Sequence, residues 1–293
     1  MYKEYLENAI SKLKITLDDS GTRPILFVGS GLSIRYIKGP SWVDLLKQLI
    51  ELNPNISMPI GYYTQKTGNN YPLVASAIVN EYQSYAWAQQ QTDLYPDYLY
   101  SHEYSDSIYL KYRIKLILEK LLSEFDLQTN PYKEELEIFK TLKPHAIITT
   151  NYDQFLETIF PDFNVIVGQQ VIKNRKALNI GHILKVHGCV SQPEEMIISQ
   201  EDYDEFKEKR KYLSAKLLTY FMEHPIVFIG YSISDENIQK ILSDISEIVS
   251  ETDDTTVNNI WFIEWKKDTI LEDFTPPVDK VIPLGEGKSI RVN

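Results

Sequence analysis

The sequence predicts an α/β protein built on a mostly parallel sheet flanked by helices. Four short apolar runs, starting at Ile25, Ala146, Ile183 and Ile226, have the length and β-branching of buried strands. Each run gives way to a packet of glycine, hydroxyl, amide, imidazole or acidic groups: Gly29-Ser-Gly31, Thr149-Thr-Asn-Tyr-Asp153, His187-Gly188 and Gly230-Tyr-Ser232. Helical stretches separate the runs, as the right-handed crossovers of a parallel sheet require.

Composition narrows the class. The 293 residues suffice to bury a core, and 43% of them are apolar, so global disorder is excluded. A net charge of −11 argues against duplex nucleic acid as the main partner of this chain. Small anionic ligands stay open, because backbone amides and helix N-termini hold phosphate without clustered lysines. Cys189 is the sole cysteine, which rules out an internal disulfide or a multi-cysteine zinc site and fits a reducing cytosol. No signal peptide or membrane-length apolar run is seen, so a cytoplasmic protein without membrane attachment is expected.

Tyr5, Ile10, Leu13 and Ile15 give the N-terminal segment a helical period on the domain surface. Ile25–Val28 reads as a buried strand, with Gly29 and Gly31 as the turn leaving it. That turn lets backbone approach a phosphate, or is an ordinary glycine turn. It is neither a Walker loop nor the full dinucleotide fingerprint, since residue 34 is Ile. Ser41 to Ile50 reads as a helix with Ser41 as N-cap and Asp44 closing the capping turn. From residue 51 to 142 the chain changes character, with helical stretches at Leu73–Gln90 and Ile108–Phe125. Eleven of the twenty tyrosines fall between Tyr62 and Tyr112, which predicts a packed helical module inserted after the first strand–helix unit.

Beyond Asp153, a helix is expected over Gln154–Phe160, a strand over Phe163–Val167 and a brief strand at Met196–Ile198. One helix follows from Ser199 to about Tyr220, and another from Glu236 to Ser250. The acidic stretch Glu251–Asp254 reads as a loop, Ile260–Ile263 as a strong strand and Val281–Leu284 as a weaker one. Gly285-Glu-Gly287 reads as a turn, after which Lys288–Asn293 stop without a closing helix.

Parallel strands bring their carboxyl ends to one sheet edge, so the four packets face one crevice. No paired metal ligands and no Gly-x-Ser-x-Gly elbow occur there. His187 can act as a base, Asn151 and Asp153 can hold sugar hydroxyls or orient water, and the glycine turns can hold a pyrophosphate. Together these groups suit a nucleotide reacting at its sugar.

These residues resemble the sirtuin family, over most of residues 20 to 265. The family's cofactor loop Gly-Ala-Gly-x-Ser is similar to Gly29-Ser30-Gly31-Leu32-Ser33, and its Thr-Gln-Asn-x-Asp motif to Thr149-Thr150-Asn151-Tyr152-Asp153. Its catalytic His-Gly looks like His187-Gly188, and its adenosine-ribose turn like Gly230-Tyr231-Ser232. The four-cysteine zinc ribbon of the deacylases is missing, and Ile34-Arg35-Tyr36 stands where they carry Pro-Asp-Phe-Arg. The better likeness is to the bacterial sirtuin-like branch, with Thr-Thr-Asn-Tyr-Asp, Lys-x-His-Gly, an acidic-Asp-Tyr stretch (Glu201-Asp202-Tyr203) and a final Asp235 after Gly230-Tyr231-Ser232.

That resemblance implies a Rossmann-like fold without a zinc ribbon and NAD as substrate with no metal. It also implies cleavage of NAD to nicotinamide and ADP-ribose in antiphage defence, killing or arresting the infected cell. By the same resemblance Asn151, His187 and Asp153 are the catalytic residues. Gly29, Ser30, Gly31, Ser33, Thr150, Asn151, Gly230, Tyr231, Ser232 and Asp235 bind the dinucleotide. Residues 1–293 are expected to form one domain, with its core over about 20–50 and 143–285, as a piece of a longer protein or assembly. A homo-oligomer and an activating partner or sensor domain are expected with it. The competing readings are an NAD-dependent protein deacylase and a non-catalytic module that senses NAD or ADP-ribose.

Overall fold

The computed structural model describes residues 2–168, 180–209, 211–231, 238–239, 242–243, 256–263, 275, 280–285 and 288–292. Strands β1 (Ile25–Val28), β2 (Ala146–Thr149), β3 (Asn164–Val167), β4 (His182–Lys185), β5 (Ile226–Ile229) and β7 (Ile260–Ile263) form one sheet in the order β3-β4-β2-β1-β5-β7. Every neighbouring pair is parallel, with Ile25 level with both Ala146 and Ile226, and Ala146 level with His182.

The strands are apolar at almost every position because both faces are covered. Ile25, Phe27, Ala146, Ile148, Ile226 and Phe228 point to one face, packed with Phe206, Leu217, Tyr220 and Phe221. Leu26, Val28, Ile147, Ile183 and Val227 point to the other, against Leu32, Tyr36, Leu136, Phe139 and Phe155. The covering helices are α2 (Ser30–Ile37), α7 (Lys133–Lys140), α8 (Phe155–Ile159), α9 (Gln200–Lys209) and α10 (Lys211–Glu223). Helix α1 (Tyr2–Ser20) lies on the surface with no buried residue.

Between α3 (Trp42–Leu52) and α7 the chain is helical: α4 (Ile60–Thr67), α5 (Tyr71–Ala88), a 3-10 turn at Asp97–Tyr100 and α6 (Ile108–Ser123). Ser41 Oγ accepts from the Asp44 amide at the start of α3, and Asn70 caps α5 through the Leu73 amide. Tyr82, Tyr95 and Tyr109 are buried in a cluster that this region shares with Tyr152, Val167, Cys189, Met196 and Ile198, and the Tyr82 hydroxyl donates to the Leu49 carbonyl at 2.6 Å. The tyrosine density therefore reflects interior packing as well as surface.

Several elements differ from expectation. The glycine turn after β1 is shorter than expected: Gly29 is the N-cap of α2, and Gly31 already lies in its first turn. Met196–Ile198, following a 3-10 turn at Pro193–Glu195, pairs with no strand among the described residues. Its backbone is held instead by the Ile197 amide on His187 O and by the Tyr152 hydroxyl on Ile197 O. The helix expected to run to about Tyr220 is described over Gln200–Lys209 and Lys211–Glu223, and residue 210 between them lies outside the described residues. The C-terminal segment ends in a strand: β8 (Lys280–Gly285) pairs antiparallel with β9 (Lys288–Val292), which also pairs with β6 (Thr256–Val257). The loop expected at Glu251–Asp254, the turn at 286–287 and most of the Glu236–Ser250 helix lie outside the described residues.

Candidate active site

Strand order reverses at β1: β2, β4 and β3 lie on one side of it, β5 and β7 on the other. Ligands of open α/β sheets bind outside the carboxyl ends at such a switch point. Here a cavity of about 330 Å³ opens, lined by Ser30, Ser33, Thr150, Asn151, Asp153, His187 and Tyr231 among others. Seven sequence-predicted residues thus meet at one place, contributed by the ends of four strands.

Gly29, Gly31 and Gly230 do not line the cavity themselves; their close backbone approach sets Ser30 and Tyr231 on its wall. The Gly29 amide donates to Ile229 O and the Gly31 amide to Gly230 O at 2.8 Å. A Cβ on Gly29 would lie 2.5 Å from Gly230 O, and one on Gly31 2.7 Å from Gly230 Cα. Gly230 itself has φ +60°, in the left-handed region. Glycine at all three positions lets the exit of β5 lie against the first turn of α2. Ser232 and Asp235 lie outside the described residues.

A short polar network forms the floor. Thr149 Oγ1 donates to Val28 O and accepts from the Asn151 amide, which ties the exits of β1 and β2 together. Asn151 Nδ2 donates to Gly29 O at 3.0 Å and to Ser33 Oγ at 3.1 Å. Both amide protons are thereby used within the protein, leaving Oδ1 as the acceptor this residue can offer a ligand. Ser33 Oγ donates in turn to Asp153 Oδ2 at 2.7 Å, and Asp153 Oδ1 accepts from the Phe155 amide at the start of α8. Asp153 is both helix cap and site residue.

His187 is buried, with its ring edge-on to Tyr203 (centroids 5.4 Å) and Phe206 (6.0 Å). It follows β4 by two residues. The next turn at Gly188, φ +91°, brings the chain against Glu195 and Met196, where a Cβ would clash at 2.5 Å. An imidazole in this position can exchange a proton with a hydroxyl or water in the cavity.

The sequence reading missed two groups of residues. Trp42, Asn69, Asn70 and Tyr71 line the cavity from α3 and the start of α5, with the Trp42 and Tyr71 rings stacked at 6.3 Å. No spacing in the sequence ties this helical region to the strand ends. The other is Lys185, met in the sequence only as the lysine of Lys-x-His-Gly and given no role there, which is fully buried at the end of β4. Its signal was visible: a charge inside an apolar strand demands a partner. Among the described residues no group of three or more His, Cys, Asp or Glu is placed to hold a metal.

The sequence model of the SIR2-like domain matches residues 145–275, which include the ends of β2, β4 and β5. That stretch of the chain is similar to a SIR2-like domain. Curated proteins are similar to parts of the chain as well. Defense-associated sirtuin 2 of Bacillus subtilis is 28% identical over 181 residues, covering 55% of this chain and 18% of that protein. NAD(+) hydrolase ThsA of Bacillus cereus (strain MSX-D12) is 26% identical over 133 residues, 44% of this chain and 27% of its own length. NAD(+) hydrolase ThsA of Enterococcus faecium is 27% identical over 146 residues, 46% and 29% respectively. The chain thus spans under a third of the length of these relatives. Among the described residues the chain has the six-stranded parallel sheet of a Rossmann-like fold, and no helix is long and apolar enough to cross a membrane.

Proposed function

We propose that the chain hydrolyses NAD at the nicotinamide–ribose bond, giving nicotinamide and ADP-ribose, and that it does so in the cytoplasm as an antiphage effector. The observation that carries this reading is the convergence of Asn151, Ser33, Asp153 and His187 on one cavity beside a glycine-built wall. The names of the relatives, hydrolases of NAD and a defence-associated sirtuin, point the same way.

The chemistry suits these groups. When the C1′–N bond breaks, its electron pair passes to the pyridinium nitrogen, so nicotinamide leaves neutral and needs no acid to protonate it. The paired carboxylates of ordinary glycosidases are then unnecessary. What remains is to hold an oxocarbenium-like ribose and deliver water to C1′. In this reading Asn151 Oδ1 accepts from a ribose hydroxyl or the water, and His187 takes the proton that the water or hydroxyl releases. Asp153 acts through Ser33 by fixing the Asn151 amide. Gly29, Ser30, Gly31, Ser33, Thr150, Gly230, Tyr231, Ser232 and Asp235 hold the dinucleotide.

Residues 1–293 act in this reading as one domain, with the helical region of residues 51–142 as an insertion. The chain works as a homo-oligomer under an activating partner or an additional sensor domain. Incubating the protein with NAD, alone and with its genomic neighbours, tests the activity by its products. Free ADP-ribose and nicotinamide support hydrolysis. An O-acyl-ADP-ribose product from an acylated peptide would favour a deacylase, and tight NAD binding without turnover in any assembly a sensing module.

A further inference from the structure

Lys185 stands at the end of a buried strand, level with Thr149 of β2, and its side chain is wholly shielded from solvent. Nζ donates to the backbone oxygen of Asp153 and, at 2.9 Å, to Oε1 of Glu157 on α8. Burial alone would make this lysine easier to deprotonate, but Glu157, Cys189 and Asp153 outweigh burial and raise its pKa above the usual lysine value. The ammonium is therefore retained where a hydrophobic residue would pack well.

Polar contacts lead from this ammonium to the cavity. Asp153 is held by its main chain on Lys185 and presents Oδ2 to Ser33, whose oxygen accepts from Asn151. The Asp153 carbonyl and carboxylate belong to one residue, so displacing the former moves the latter. We propose that Lys185, braced by Glu157, is a positioning residue: it clamps the Asp153 backbone so that the carboxylate fixes Ser33 and, through Ser33, Asn151.

The alternative is an ion pair serving only stability, and the two make different predictions. Replacing a buried pair by apolar residues of similar size is often neutral or stabilising, whereas removing one partner strands a charge. The test is therefore the double variant Lys185→Met/Glu157→Leu in the full-length protein. The clamp predicts a folded protein with ADP-ribose affinity and KM for NAD close to wild type. It predicts a kcat lowered about tenfold or more, the scale of one charge-assisted hydrogen bond. The Asn151 side-chain amide, followed by NMR in asparagine-labelled protein, is expected to lose its exchange protection.

The activity readout rests on the proposed NAD hydrolysis, while the amide readout does not. A wild type without turnover would sink the hydrolase reading and leave the clamp tested by the Asn151 resonance. Wild-type kcat together with an unchanged Asn151 amide in the double variant would overturn the clamp. If that variant aggregates, Glu157→Gln is read in its place. It removes the charge that braces Lys185 and strands the ammonium, so the clamp predicts a kcat lowered about tenfold, the scale of one charge-assisted hydrogen bond, with loss of the Asn151 amide protection. A kcat within about threefold of wild type and an unchanged Asn151 amide there would overturn the proposal.

Discussion

The Ser33 hydroxyl donates a 2.7 Å hydrogen bond to Asp153 Oδ2 across 120 residues of sequence. This bond joins the first turn of α2 to the loop after β2 and buries both partners. It converts two separate sequence motifs into one unit, with Asn151 held between them by its own bond to Ser33.

Replacing Ser33 by Ala leaves Asp153 Oδ2 buried without this donor and frees one proton of the Asn151 amide. A hydrogen bond to a charged group contributes about 1.5–3 kcal/mol, so NAD turnover is expected to fall about tenfold to a hundredfold. Steady-state kinetics with a melting curve alongside check whether the loss exceeds any change in stability.

At the wall, a methyl group on Gly29 would meet Gly230 O at 2.5 Å and the Tyr231 ring at 2.7 Å. Gly29→Ala must push apart the exits of β1 and β5, at a cost of about 1–3 kcal/mol in stability. ADP-ribose affinity is expected to weaken with it. Denaturant unfolding and calorimetric titration measure the two effects separately.

The lysine–aspartate contact between α6 and α9 offers a different test. Lys111 Nζ lies 2.5 Å from Asp202 Oδ1 and is almost fully buried. Asp202 Oδ2 also accepts from the Ile198 and Ser199 amides at the start of α9, the helix that carries Tyr203 beside His187. Asp202→Ala strands Lys111 and removes the cap, so a loss of about 3–5 kcal/mol is expected. Urea unfolding monitored by far-UV circular dichroism measures it.

At the amino edge of the sheet, the rings of His145 and His224 lie 4.1 Å apart, near His182, Tyr220, Lys216 and Arg23. Burial, then His224, His182, Lys216 and Arg23, push the His145 pKa down to about 4 from the ordinary 6.5. Between those values the unfolded chain binds more protons at this site than the folded one. The contribution to stability is thus fully present above pH 6.5 and is lost as pH falls toward 4. His145→Gln is expected to flatten that part of the stability profile, as urea midpoints across the window would show.

Much of this was legible in the sequence. Apolar runs ending in polar packets located four strands of the sheet and brought Ser33, Asn151, Asp153 and His187 to one edge. Periodicity and caps likewise located α3, where Ser41 and Asp44 behave as the capping pair the spacing suggested. What escaped depends on tertiary contact. Gly31 is in a helix because Gly230 packs against it, and Met196–Ile198 finds partners in His187 and Tyr152 in place of a neighbouring strand. Lys288–Val292 becomes β9 by pairing with β8 and β6, a match no local pattern encodes. Trp42 and Tyr71 reach the cavity only because α3 and α5 pack together.

In the proposed reaction Asn151 and His187 carry NAD cleavage. The most direct measurement is the rate of nicotinamide and ADP-ribose release by wild type, Asn151→Ala and His187→Ala in the fully assembled protein. Each variant is expected to lose at least the roughly 10²-fold typical of a positioned acid–base group. Wild-type turnover in both variants would rule out these two residues as the ones that carry the cleavage.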